Sequence, residues 1–257
     1  MRHAAAGMLG YEAVWDRFVL KVKRGDGPVY SALRGVARTV LRAALPPLPT
    51  PLKMLARVVY AVHYTLVALA KWLLAALYYQ PLFQSRCRRV GRGLRVEGMP
   101  FVLGHTTIDV GNDVSLLGKV DIVSGRFHDR PTLTIGNRVS IGHLALITVN
   151  QEVVIEDDVI VSFNCRIADS DGHPRDAALR AAHAPLSPRD IRPVRIGRHA
   201  WIGNGSAIMK GVTIGEGAII GANSVVIGDV PPYCIAMGNP AEVYFRNVGR
   251  PRNATGA

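Results

Sequence analysis

The sequence predicts a β protein built of stacked triangular coils behind a basic α-helical region, and three observations carry that expectation. Aliphatic residues recur every six positions through most of residues 90–246. The largest break in that beat, a 23-residue excess at 173–195, is rich in loop-forming residues and begins with a histidine. The chain has 257 residues and a formal net charge of +12, and all of the surplus positive charge lies in residues 1–95. Residues 1–95 hold sixteen Lys/Arg against three acidic side chains, whereas residues 96–257 hold fifteen against sixteen.

The first elements are helices. "PVYSALRGVARTVLRAAL" places Arg34, Arg38 and Arg42 at four-residue steps, which gives one basic face. "PPLPTP" at 46–51 then turns the chain. Residues 51–79, "PLKMLARVVYAVHYTLVALAKWLLAALYY", have no glycine or internal proline and read as a second helix, about 43 Å long at ~1.5 Å per residue. At roughly 100° per residue, Lys53, Arg57 and Lys71 fall within about 40° of one another, and Tyr60, Tyr64 and Tyr78 join that stripe. A narrow basic and tyrosyl stripe on an otherwise apolar helix suits a segment lying at an anionic bilayer surface. A spanning helix would hold Lys71 deep in hydrocarbon. The alternative is a helical pair packed against other chains with its arginines solvated. "QPLFQSRCRRVGRG" reads as the junction into the coils, so the domain division is 1–89 helical, 90–246 coiled and 247–257 a flexible tail.

The coils follow. From Ile196 the chain reads "IGRHAW IGNGSA IMKGVT IGEGAI IGANSV VIGDVP", with Ile196, Ile202, Ile208, Ile214, Ile220 and Val226 in phase. Four residues after each comes a small or β-branched residue: Ala200, Ser206, Val212, Ala218, Ser224 and Val230. Upstream triplets keep the beat at Val110, Leu116 and Ile122, at Ile135, Ile141 and Ile147, and at Ile155, Val161 and Ile167, with a weaker set at Val90, Val96 and Val102. A period of six fits neither a helix nor an ordinary strand, but it fits short strands joined by tight corners, with the aliphatic inward and Gly or Asn at the bends. Three hexapeptides close one triangle, and stacked triangles bury a continuous core. Coils so grouped begin at 90, 110, 135, 155, 196 and 214, with excesses over eighteen of 2, 7, 2, 23 and 0. Long loops on rigid scaffolds are disproportionately functional, although a surface insertion is also tolerated there.

The repeats, the loop mouth "DSDGHP", the run "AWIGNGSAIMKGVTIG" and the closing "VPPYCIAMGNPAEV" resemble the hexapeptide-repeat acetyltransferases, most closely the sugar and surface-polysaccharide O-acetyltransferases. That resemblance implies a left-handed parallel β-helix, a homotrimer with active sites between neighbouring prisms, and acetyl-CoA as donor. It carries the general base onto His173, and imidazole suits that task because it titrates near neutrality. Asp169 or Asp171 could hold the other ring nitrogen, or each could be a turn former. The family's oxyanion N–H falls on Asn204. Donor binding is carried onto Trp201, Gly203, Asn204, Gly221, Ala222 and Arg246, with Arg250 a further candidate for the CoA phosphates, and acceptor binding onto Asn150 and Trp201. The sequence departs from relatives at Ile227–Gly228 and at Glu242, where they carry Thr-Lys and a basic residue.

The remaining features narrow the class. Cys87, Cys165 and Cys234 lack metal or disulfide spacing, and Cys165 sits at a small inward position that suits packing. His143 and His199 stand at outward positions and His183 lies in the loop, where solvated or capping roles are expected. No three-histidine set has ligand spacing, so no metal is expected. The start lacks an apolar run followed by a cleavage site, so no cleaved signal peptide is expected. The reading is therefore an acetyl-CoA-dependent O-acetyltransferase acting on a glycan or lipid-linked saccharide at the inner face of the cell membrane. The anionic surface is met through residues 28–83 and no nucleic acid is bound. An acetyltransferase for a soluble antibiotic or amino acid, and a non-catalytic trimeric scaffold, are the alternatives.

Overall fold

A computed structural model of the chain describes residues 14–42 and 47–249. Residues 43–46, the last of which opens the expected proline bend at 46–51, and the C-terminal tail from Arg250 onward lie outside the described residues. Two units are distinguished, Met1–Val62 and His63–Ala257.

In the first unit a helix over 14–24 is followed by Pro28–Arg42, the expected basic helix. Gly25 at φ 76° supplies the left-handed turn between them, and Phe18 meets Tyr30 edge-on at 6.1 Å. The long apolar helix starts at Thr50, with Pro51 in the first turn where its missing N–H is harmless.

That helix outlasts its expected end at residue 79. Thr50–Leu74 is α-helical, Ala75–Tyr79 widens to π geometry, and Gln80–Arg86 resumes the α form. Pro81 accounts for the change, because it lacks an N–H and its ring crowds the carbonyl four residues back. The wider turn absorbs this, with Gln80 N–H donating to Ala75 O five residues earlier. By length and composition, Thr50–Arg86 is long and apolar enough to cross a membrane.

From Arg89 onward the chain is a left-handed parallel β-helix of three sheets, formed by the first, second and third strands of successive coils. The six-residue beat predicts the register residue by residue. Val90, Val110, Ile135, Ile155, Ile196 and Ile214 pair in succession on the first sheet. On the second, Val96, Leu116, Ile141, Val161, Ile202 and Ile220 do so, and on the third Val102, Ile122, Ile147, Ile167, Ile208 and Val226. The aliphatics form one core, and the small set from Ala200 to Val230 is buried with them. Val230 and Ala236 begin another turn, which the antiparallel pair Ile235–Gly238 and Ala241–Phe245 closes.

The corners differ from expectation in one respect. The left-handed position after the first sheet is glycine at Gly93 and Gly217, but Asp113, Arg138, Asp158 and His199 also adopt φ near +54 to +60° there. Each of these four donates its N–H to the carbonyl one coil below, as in Asp158 to Asn137 and His199 to Asp157. That bond offsets the roughly 1–2 kcal/mol that an L side chain costs in this conformation. A second ladder runs beside it: Arg92 N–H donates to Asn112 Oδ1, Asn112 to Asn137 and Asn137 to Asp157.

Candidate active site at two corners of the prism

The large insertion leaves the third sheet after Arg166–Ala168 and rejoins the first at Val194–Ile196. It therefore spans 169–193 rather than 173–195, because Val194 and Arg195 already pair with Val153 and Val154. Its stem is closed by a bridge between Ser170 and Ile191 and by Arg192 N–H donating to Asp169 O. Inside it, Asp176 caps the short helix Ala177–Ala181 by accepting from Leu179 N–H at 2.9 Å.

The two candidate aspartates are anchors of this stem, and neither hydrogen-bonds His173. Asp169 is fully buried and takes three backbone N–H groups one coil below, from Asn150 at 2.8 Å, Gln151 at 2.6 Å and Glu152 at 3.0 Å. Burial pushes its carboxyl above the ordinary value, against the pull of these donors. Asp171 accepts from Arg175 Nε at 2.7 Å and from Lys210 Nζ at 2.8 Å. Both carboxylates of the expected pair bond the scaffold and the loop here.

Lys210 was not singled out from the sequence. Its side chain is only 7 % exposed, and Nζ also donates to Arg189 O at 3.0 Å, so one cation from the next coil ties both arms of the loop. Burial pushes the Asp171 carboxyl up, but the hydrogen bonds and charges of Lys210 and Arg175 outweigh it and hold it below the ordinary carboxylate value. The stabilisation is therefore complete above about pH 4 and is lost as pH falls through the lowered folded value. Amide exchange at 172–190, corrected for intrinsic rates, is expected to be flat from about pH 7 to 5 and to rise below about pH 4. Lys210→Met should raise it at every pH and shrink the step, since Arg175 still pairs with Asp171.

His173 stands exposed beyond these anchors, and its ring makes no hydrogen bond among the described residues. The backbone around it is fixed nonetheless: Pro174 is buried, and Arg180 Nη1 donates to Pro174 O and Arg175 O, both at 3.0 Å. Asn150, read as an acceptor-binding position, is 3 % exposed and bonded at both ends of its amide. Oδ1 accepts from Gly125 N–H at 2.9 Å, and Nδ2 donates to Ser170 Oγ at 2.7 Å. It clamps the 124–131 turn to the insertion and presents no free polar atom to an acceptor.

The residues assigned to the donor gather at another corner, between the second and third sheets. Trp201 is 48 % exposed on the outer face of its strand, and its indole N–H donates to Ser162 Oγ at 3.0 Å. Gly203 stacks directly under the next coil: a Cβ there would lie 2.6 Å from Ile220 O and 2.8 Å from Ala222 N, so glycine is demanded by packing. Gly221 is likewise crowded, by Met237. At this corner the coil above caps the N–H below, as Asn204 Oδ1 does for Phe163 N–H at 3.2 Å. The residue above Asn204 is Ala222, which has no side-chain acceptor, so the Asn204 N–H is unpaired among the described residues. Arg246, one residue past the last strand, is exposed.

The other side chains take lesser parts. His143 caps a corner by accepting Lys119 N–H on Nδ1 at 2.9 Å, and His199 lies 3.8 Å from Asp158. Cys165 is buried and donates to Gly203 O at 3.2 Å, and burial raises its thiol pKa, which removes the thiolate a nucleophile needs. Among the described residues no group of three or more His, Cys, Asp or Glu could hold a metal ion.

Within one chain His173 and Asn204 belong to different corners, separated by a triangle side of roughly 15 Å at ~3.3 Å per residue.

Stacked coils of this kind, with one long loop and a hairpin cap, define a hexapeptide-repeat protein. Residues 193–228 match the family described as bacterial transferase hexapeptide (six repeats). A Mycobacterium tuberculosis protein named "Probable acetyltransferase Rv3034c" is 30 % identical over 197 residues, covering 69 % of this chain and 62 % of that protein. This chain spans less than two thirds of the length of the curated relatives it matches. A mutant of AntD, an N-acyltransferase from Bacillus cereus solved with dTDP-4-amino-4,6-dideoxyglucose and Coenzyme A, shares the fold. Its TM-score is 0.54 at 18 % identity, covering 64 % of this chain and 87 % of that one. AntD with dTDP and 3-hydroxybutyryl-CoA gives a TM-score of 0.51 at 19 % identity, covering 64 % of this chain and 86 % of that one.

Proposed function

We propose that the chain is an O-acetyltransferase that moves acetyl from acetyl-CoA to a hydroxyl of a glycan or lipid-linked saccharide precursor, working as a homotrimer on the inner face of the cell membrane. The observation that carries this reading is the pair of unused groups, the His173 imidazole and the Asn204 N–H. His173 is carried by the insertion and Asn204 by a corner of the coil that follows it. The imidazole takes the proton of the acceptor hydroxyl as its oxygen attacks the thioester carbon. The Asn204 N–H donates to the oxyanion that forms. Collapse breaks the C–S bond, and the imidazolium returns the proton to the departing thiolate, leaving an ester and free CoA.

Trp201 walls the donor corner, Arg246 is available to the CoA phosphates, and the corner backbone of Gly203, Asn204, Gly221 and Ala222 is the surface the pantetheine arm runs along. The exposed apolar helix supports an acceptor presented at a bilayer. The test is acetyl transfer by the full chain from labelled acetyl-CoA to free hexoses and to a lipid-linked oligosaccharide. Faster transfer to the lipid-linked acceptor is expected. Equal rates would remove the membrane arm, and no CoA release with any hydroxyl acceptor, from an intact trimer, would leave the scaffold reading.

A further inference from the structure

Within the second unit, a groove of about 640 Å³ runs between the end of the long helix and the outer face of the first two coils. Its origin is readable in the residues. The helix turns Ala68, Ala75 and Ala76 toward it, and the coil corners contribute Gly98 and Gly118. Those glycines are forced by stacking, since a Cβ on Gly98 would lie 2.8 Å from the Gly118 backbone and one on Gly118 would strike His143. Small residues on both walls leave a gap that neither element can fill. Its volume falls in the usual range of small-molecule clefts, roughly 300–1,000 Å³.

The groove is apolar along Trp72 and Leu117 but carries two cations, Lys71 from the helix and Arg95 from the first coil. Neither side chain makes a hydrogen bond or ion pair among the described residues, and Glu97 is the sole acidic residue in the lining. The groove is continuous with helix surface that offers Leu66, Leu69, Leu73 and Leu77 to the outside. An apolar slot beside such a helix, with two unpaired cations at its side, is complementary to an anionic amphiphile. A soluble anion would leave its walls unused.

We propose that this groove seats one anionic phospholipid, with the phosphate between Lys71 and Arg95 and an acyl chain along Trp72 and Leu117. The inference rests on reading the helix as a membrane-lying segment and deepens it from a general surface attraction to a defined lipid site. It does not depend on acetyl transfer.

Trp72 provides the readout. The full chain in neutral detergent is titrated with dibrominated phosphatidylglycerol or dibrominated phosphatidylcholine, whose bromines quench nearby indole. Saturable quenching at one phosphatidylglycerol per chain is expected, absent in Trp72→Phe. Joint Lys71→Ala and Arg95→Ala replacement should weaken the titration about tenfold or more. Joint Arg34→Ala and Arg38→Ala replacement, which removes charge outside the groove, should leave it within twofold. Equal quenching by the two lipids, an unchanged titration in the Lys71/Arg95 variant, or a Trp72 shielded from both lipids by a second copy would each overturn the proposal. Partition into anionic vesicles is measured in parallel. If the wild type partitions but the groove variant titrates normally, only the groove proposal fails. If it does not partition at all, the membrane reading fails with it.

Discussion

Replacing His173 with alanine is expected to lower acetyl transfer by roughly 10²–10⁴-fold, the usual contribution of a positioned general base. The same change should leave folding untouched, because the side chain is exposed and makes no hydrogen bond among the described residues. Unfolding free energy should stay within about 0.5 kcal/mol, as for a surface site. A loss of rate alone does not distinguish a base from a residue that shapes the cleft, so partial rescue of His173→Ala by added imidazole is part of the expected result. Initial rates of CoA release, measured on protein whose oligomeric state and melting curve match the wild type, provide the check. Turnover within threefold of wild type would remove His173 from the mechanism.

Asp169→Ala should behave in the opposite way, costing about 3–5 kcal/mol of stability, the range for breaking a buried charge network. The carboxylate takes the N–H groups of Asn150, Gln151 and Glu152, and alanine would leave all three without that acceptor, the Asn150 N–H in the buried interior. For a unit of this size the melting temperature should fall by roughly 10 °C. Asp169→Asn keeps the volume but retains one acceptor oxygen and adds two donors facing N–H groups, so it should recover less than half of the loss. Chemical unfolding of the three proteins settles the point, and a cost below about 1 kcal/mol for the alanine variant would show that the corner is held by other bonds. The two substitutions separate chemistry from scaffold: one removes rate with the fold intact, the other weakens the fold that carries the loop.

Much of this architecture is legible in the sequence because the coil is a local rule repeated. Each aliphatic from Val90 to Val226 meets the one expected above it, since the six-residue beat fixes which side chains face inward and stacking fixes the partner. The long insertion is legible by subtraction, although its last residues belong to a strand. The continuation through Pro81 is not, because proline usually ends a helix and only a change of hydrogen-bond register lets this one proceed. The roles of Asp169, Asn150 and Lys210 are hidden for another reason. Their partners are about 20 to 40 positions away along the chain and become neighbours only when coils stack. For Asp169 a signal did exist: a 20-residue coil step from Val149 lands on it, and one more places Ser170 over Asn150. Lys210 has no such cue, since its partner lies in an insertion that obeys no period.

The steady pairing along the second sheet also makes the column a ruler. Arg95, Ser115, Ser140, Ile160 and Trp201 stack one above another, four steps in all. At about 4.8 Å per step, Trp201 stands some 19 Å above Arg95. A molecule tethered at the level of Arg95 must therefore extend across that standoff before any hydroxyl reaches the indole. Excising one whole coil, 110–134 or 135–154, would shorten the gauge by ~4.8 Å, so the spacing can be reset by arithmetic on the sequence.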